Sequence, residues 1–133
     1  MTRINTLDPS YLTDQHLVAE LREISRPLND VLAGKKGLGP PNYVLGPGHV
    51  IFFRNRLRYI ERRFRELRKE FVDRGFTGFD YTLKAPPSRD YTPTREAKRL
   101  CATRLLQRFP KSARMYGERI TKDQYQQIIK EFT

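Results

Sequence analysis

The sequence predicts an all-α fold: a compact single domain of three main helices with irregular loops, plus a short extra C-terminal helix. Three observations lead there. Apolar residues recur at three- and four-residue steps over long stretches. Glycine and proline concentrate in the connections between those stretches. No convincing strand run and no internal repeat is present. A length of 133 residues allows one domain, taken as 1–133 with 118–133 as a C-terminal extension, since domains usually hold roughly 100–200 residues.

The first helix is expected to begin at Thr13 or Asp14, both good N-caps. Leu17, Leu21, Ile24, Leu28 and Val31 then form one helical face, and Pro27 bends it because proline has no N–H for the carbonyl of Glu23. On the same wheel Gln15, Arg22 and Arg26 fall on the opposite face, with His16 and Glu23 on a flank between. Gly34 to Gly48, with five glycines and three prolines, reads as a loop. The second helix carries Val50, Phe53, Leu57, Ile60, Phe64, Leu67 and Phe71 inward and ends near Gly75. A stripe of that kind suits the central core helix of a single domain, or a coiled-coil partner. Thr77 to Tyr91 is a surface loop containing Pro86-Pro87. Thr92-Pro93 looks like an N-cap followed by a first-turn proline, opening a third helix to about Phe109 with Ala97, Leu100, Cys101 and Leu105 inward. Thr121 and Gln124 fit a capping box ahead of a last helix bearing Tyr125, Ile128, Ile129 and Phe132.

Charge narrows the function. Twenty-six Lys and Arg against fifteen Asp and Glu leave +11 and a pI near 10.2. Such an excess calls for a polyanionic partner, nucleic acid ahead of acidic membranes or protein surfaces. Arginine carries most of it, and its fork suits phosphate and guanine. No run approaches the roughly 18 apolar residues of a membrane span, and the first residues lack the apolar core of a secretory signal. A cytoplasmic protein without a membrane partner is expected. Cys101 is the only cysteine, which excludes a disulfide framework; with His16 and His49 the only histidines, a Cys/His zinc site is improbable.

Conventional catalytic constellations are mostly missing. There is no phosphate-cradling GxxxxGK loop, and the glycines around Leu38 follow no strand. The amino terminus differs. A small second residue is compatible with removal of Met1, which exposes the α-amine of Thr2. That amine has a pKa of about 7.7–8.0, so an unprotonated fraction exists at neutral pH and can attack a sugar carbon.

Specific motifs extend this reading. They are Thr2-Arg3-Ile4-Asn5, Asp14-Gln15-His16-Leu17 with Ala19-Glu20, and Arg22-Glu23 with Arg26. They continue at Leu45-Gly46-Pro47-Gly48-His49-Val50, Phe52-Phe53 and Arg74-Gly75-Phe76, and end near Gln107-Arg108 and Tyr116-Gly117. On these residues the chain resembles the pyrimidine-dimer DNA glycosylases of the bacteriophage endonuclease V type. The resemblance covers most of the chain and is densest over the first 26 residues and around His49.

The resemblance implies a compact, mostly helical domain acting as N-glycosylase and then AP lyase, with no metal or cofactor. It implies Thr2 as the α-amino nucleophile at C1′ of the damaged nucleotide. It implies Glu23 as the carboxylate that stabilises the cationic sugar and assists the proton removal of β-elimination. Arg3, Gln15, His16, Arg22 and Arg26 match positions that line the site and hold DNA, while Arg104, Arg108 and Arg114 are candidates for phosphate contacts. The implied partner is double-stranded DNA carrying a pyrimidine dimer or an abasic site, bound by a monomer and kinked, with the nucleotide opposite the lesion turned out.

The C-terminal part departs from the family pattern. Lys111 to Gly117 keeps Arg114 and Tyr116-Gly117 but lacks the dense aromatic and basic cluster, and Glu118–Thr133 is added. Two other classes therefore stay open: an abasic-site lyase or glycosylase for other damaged bases, and a non-catalytic basic DNA-binding protein.

Overall fold

A computed structural model describes residues 3–35, 37 and 39–133. The main elements are α1 (Asp14–Glu23), α2 (Arg26–Leu32), α3 (His49–Phe53), α4 (Leu57–Asp73), α5 (Arg95–Gln107), β1 (Arg114–Met115), β2 (Glu118–Arg119) and α6 (Lys122–Ile128). Short 3-10 turns cover Pro9–Tyr11, Gly46–Gly48 and Lys130–Phe132. The all-α class holds. No helix among the described residues is long and apolar enough to cross a membrane.

The apolar stripes meet in one core. Leu17, Leu21, Ile24 and Leu28 bury against Phe53, Leu57, Ile60, Phe64, Leu67 and Phe71, with Ala97, Cys101, Ala102 and Leu105 of α5 closing it. The C-terminal segment belongs to the same core: Tyr125 and Ile129 are fully buried, and the Tyr125 hydroxyl donates to the Tyr11 carbonyl at 2.7 Å. Its capping box forms as expected, Thr121 Oγ1 accepting from Gln124 N and Gln124 Oε1 from Thr121 N.

Four boundaries differ from the sequence reading. The first helix is two helices, because the chain turns at Ile24–Ser25 and Pro27 sits in the first turn of α2, where its missing N–H costs nothing. The second is also two. Arg56 adopts φ −129°, ψ 41°, its guanidinium reaches back to the Phe52 carbonyl at 2.7 Å, and Leu57 N donates to Ser88 Oγ instead of continuing the ladder. Helix α5 starts two residues late, capped not by Thr92 but by Thr94, whose hydroxyl accepts from Ala97 N at 3.0 Å. A two-stranded ribbon, β1 against β2, occupies a stretch with no strand signal. The end of α4 matches the sequence: Gly75 at φ 91° lets Phe76 N return to the Phe71 carbonyl and Gly75 N to that of Val72.

Candidate active site

The amino-terminal arm, Ile4 to Leu7, has no regular structure, yet every one of its residues is buried. Buried backbone needs partners, and here side chains supply them. Ile4 N donates to His49 Nε2 at 2.8 Å, and the Ile4 carbonyl accepts from the Tyr43 hydroxyl at 2.9 Å. The Asn5 carbonyl accepts from the Tyr59 hydroxyl at 3.0 Å, and the Leu7 carbonyl accepts from Arg63 Nη1. Thr6 Oγ1 donates to the Ala97 carbonyl at 3.1 Å. The Asn5 amide donates to Glu20 Oε1 at 2.7 Å and accepts from the Cys101 thiol at 3.3 Å. Elements α3, α4, α1 and α5 thus grip one strand of backbone.

Burial, with the positive charge of Arg3 adding to it, lowers the His49 pKa to about 4. At neutral pH the ring therefore carries one proton. Its Nδ1 faces the Val44 carbonyl at 2.8 Å, which assigns the proton there and leaves Nε2 as the acceptor that Ile4 N needs.

Beside the arm lies a cleft of about 210 Å³ lined by Arg3, Asn5, His16, Ala19, Glu20, Glu23, Arg104, Leu105 and Arg108. Five residues singled out from sequence meet here: Arg3, His16, Glu23, Arg104 and Arg108. His16, Glu20 and Glu23 share one face of α1, while Arg104 and Arg108 come from the end of α5. Burial, then the positive charges of Arg104 and Arg108, lower the Arg3 pKa below the usual range, the sign of cations crowded into one cavity. Burial also lowers the His16 pKa. Its Nε2 lies 3.1 Å from the Arg108 carbonyl and so carries the proton of the neutral ring; Nδ1 has no hydrogen-bond partner among the described residues. The buried Arg104 Nε likewise has none among them.

Gln15, Arg22 and Arg114 lie elsewhere. They line a neighbouring hollow of about 470 Å³ with Val18, Phe76 and Gly117, and Ala19 borders both cavities. The Gln15 amide is engaged with backbone, donating to the Ser112 carbonyl at 2.9 Å and accepting from Arg114 N at 3.0 Å. Arg26 is exposed and lines neither cavity, because α1 ends before it and the wheel that grouped it with Gln15 and Arg22 assumed an unbroken helix. Thr2 lies outside the described residues.

Arginines divide by partner. Arg54, Arg62, Arg63, Arg68, Arg74 and Arg99 each pair with a carboxylate. Arg22, Arg104, Arg108 and Arg114 form no ion pair among the described residues, which leaves their charge available to an outside anion. No group of three or more potential metal-ligating side chains gathers among the described residues.

Sequence reasoning passed over Glu20 and Arg63 as site-building residues. Arg63 Nε and Nη2 reach the two Glu20 oxygens at 2.9 and 3.1 Å in the cleft floor. The signal was present: Arg63 stands between Ile60 and Leu67 at three- and four-residue steps, a cation on the apolar stripe.

The family model described as pyrimidine dimer DNA glycosylase matches residues 1–82, well over half of the chain. That stretch contains the arm, α1 with Glu20 and Glu23, His49 and Arg63, whereas α5, the ribbon and α6 follow it. The buried arm, the carboxylates of α1 and the histidine that holds Ile4 all lie within the matched segment, and the chain belongs to the pyrimidine dimer DNA glycosylase family of DNA-repair enzymes.

Proposed function

We propose that this chain, acting as one domain over 1–133 and as a monomer, excises cyclobutane pyrimidine dimers from double-stranded DNA and then cuts the strand. In this reading the α-amine of Thr2 attacks C1′ of the damaged nucleotide and the base leaves with the glycosidic electron pair. The nitrogen passes a proton to the departing base. The C1′–O4′ bond then breaks, O4′ takes up a proton as the sugar ring opens, and the C1′ iminium that forms acidifies the C2′ proton. Its removal drives β-elimination, which breaks the C3′–O bond and releases the 3′ phosphate. Glu23 supplies a fixed anion beside the cationic sugar and assists the proton transfer. Arg3, His16, Arg104 and Arg108 hold the strand at the cleft, and Gln15, Arg22, Arg26 and Arg114 hold DNA beside it. No cofactor takes part.

The observation that supports this reading is the shared cleft: Arg3, next to the buried arm, lines it together with Glu23 and with Arg104 and Arg108, which form no ion pair among the described residues. The test is borohydride reduction of the protein with dimer-containing and abasic duplexes, after mass spectrometry has confirmed loss of Met1. A covalent adduct on dimer DNA, abolished by acetylating the α-amine, is expected. An adduct on abasic DNA alone would leave a lyase without dimer recognition, and none on either would leave a DNA-binding protein.

A further inference from the structure

The turn of the ribbon is strained. Tyr116 and Gly117 have φ 55° and 80°, the positive pair that a two-residue hairpin of the I′ type requires. Glycine adopts this without penalty, whereas a tyrosine there is an outlier that persists only when its surroundings impose it. They do. The Asp14 carboxylate accepts from Tyr116 N at 3.1 Å and from Gly117 N at 2.9 Å. The Tyr116 ring packs 4.3 Å from the guanidinium carbon of Arg74, and its hydroxyl donates to Glu70 Oε1 at 2.7 Å. Gln15 clamps the backbone at Ser112 and Arg114. A ribbon of two residues per strand has no stability of its own, so it exists because α1 and α4 mount it.

What the mount presents is a pair of arginines. Arg114 and Arg119 are direct partners across the antiparallel ribbon, and both are exposed. Direct partners share a face with Cβ atoms about 4.5–5.5 Å apart, and like charges in that position repel. No acid among the described residues relieves them, although Arg114 Nη1 donates to the Gly117 carbonyl at 2.9 Å. Glu118 pairs with Met115 and so projects from the other face, while Asp14 and Glu70 are engaged by Arg74 and the turn. Arg119, like Arg114, has no ion pair among the described residues. Arg114 also borders the hollow beside the cleft, next to Arg22.

We propose that Arg119 and Arg114 form a two-armed clamp for one phosphate of the DNA backbone, on a turn held rigid by Asp14 and Arg74. A phosphodiester removes the repulsion, offers oxygens to both forks, and is present in any duplex. This rests on the reading of the chain as a DNA binder and not on the amine chemistry.

The test is binding of a short undamaged duplex, followed by fluorescence anisotropy across a salt series, for wild type, Arg119→Ala, Arg114→Ala and the double variant. Each single change is expected to weaken binding several-fold. The double variant is expected to lower the salt slope by about 0.9, one phosphate's worth, with an affinity loss smaller than the product of the single losses. Arg119→Lys should recover part of the loss. Thermal unfolding of Arg119→Ala should match wild type. Unchanged affinity and slope for Arg119→Ala, strictly multiplicative losses, or a marked loss of folding stability would each overturn the clamp. Undamaged DNA carries no reacting base, so failure of dimer excision leaves this measurement intact, and the reverse also holds.

Discussion

Arg63 and Glu20 are joined by two hydrogen bonds, at 2.9 and 3.1 Å, with both side chains almost wholly removed from water. Burial alone would discourage charge on Arg63, but the Glu20 carboxylate outweighs it and raises the guanidinium's pKa. The pair joins α4 to α1 and, through Asn5, to the arm.

Removing one member leaves the other buried and unpaired. Arg63→Met or Glu20→Gln is expected to cost about 3–5 kcal/mol of folding stability, read from urea midpoints. The two changes together should cost less than their sum, since neither charge is then stranded. Additive losses would show that the pair is not coupled.

Glu23, in contrast, is exposed at the mouth of the cleft, where substitution has little packing to disturb. Glu23→Gln should leave duplex affinity within about two-fold while single-turnover strand cleavage falls about 10²–10³-fold, the size of one lost electrostatic stabiliser. Near-normal cleavage would remove Glu23 from the mechanism.

Stability should fall in acid, with a window set by His49. Its folded pKa of about 4 is below the ordinary 6.5, so the unfolded chain takes up the proton first. Its contribution is complete above pH 6.5, is lost as pH falls from 6.5 toward 4, and changes no further below that. The span corresponds to about 3 kcal/mol. His16 shifts in the same direction. Asp30 and Asp90, whose pKa values are lowered, lose their contributions only below the ordinary aspartate value of 3.8. Urea midpoints across pH, for wild type and His49→Gln, separate the two windows: the variant should lose most of the slope between 6.5 and 4.

The final helix is structural. Tyr125 is fully buried and bonded to the Tyr11 carbonyl, so Tyr125→Ala should cost about 3–5 kcal/mol, in the range of large aromatic truncations. Thr121→Ala removes a cap at an exposed helix start and should cost about 1 kcal/mol. Thermal melts of the two, run side by side, distinguish a packed helix from an appended one, for which both effects would be small.

Periodicity made the core legible. The stripe from Phe53 to Phe71 is buried as expected, because both halves of the broken helix still face the same interior. The break at Arg56 was hidden because its cause is distant: Ser88 takes the amide of Leu57, and no local signal announces a partner 31 positions away. The ribbon was hidden for a related reason, since Tyr116 at positive φ contradicts its own preference and is imposed by Asp14 and Arg74. In the site, helical spacing placed His16 and Glu23 together, but it could not foresee that Gln15 would be drawn onto the Ser112 and Arg114 backbone.

The grip on Ile4 to Leu7 also sets an order of events during synthesis. A ribosome releases these residues first, yet their partners emerge much later: Tyr43 after 39 positions, Arg63 after 56, and Cys101 after 96. Until α5 has been made, Thr6 and Asn5 lack the partners that Ala97 and Cys101 supply, and the arm cannot be completed. Residues near the start of the chain thus reach their native bonding only after position 101 has left the ribosome.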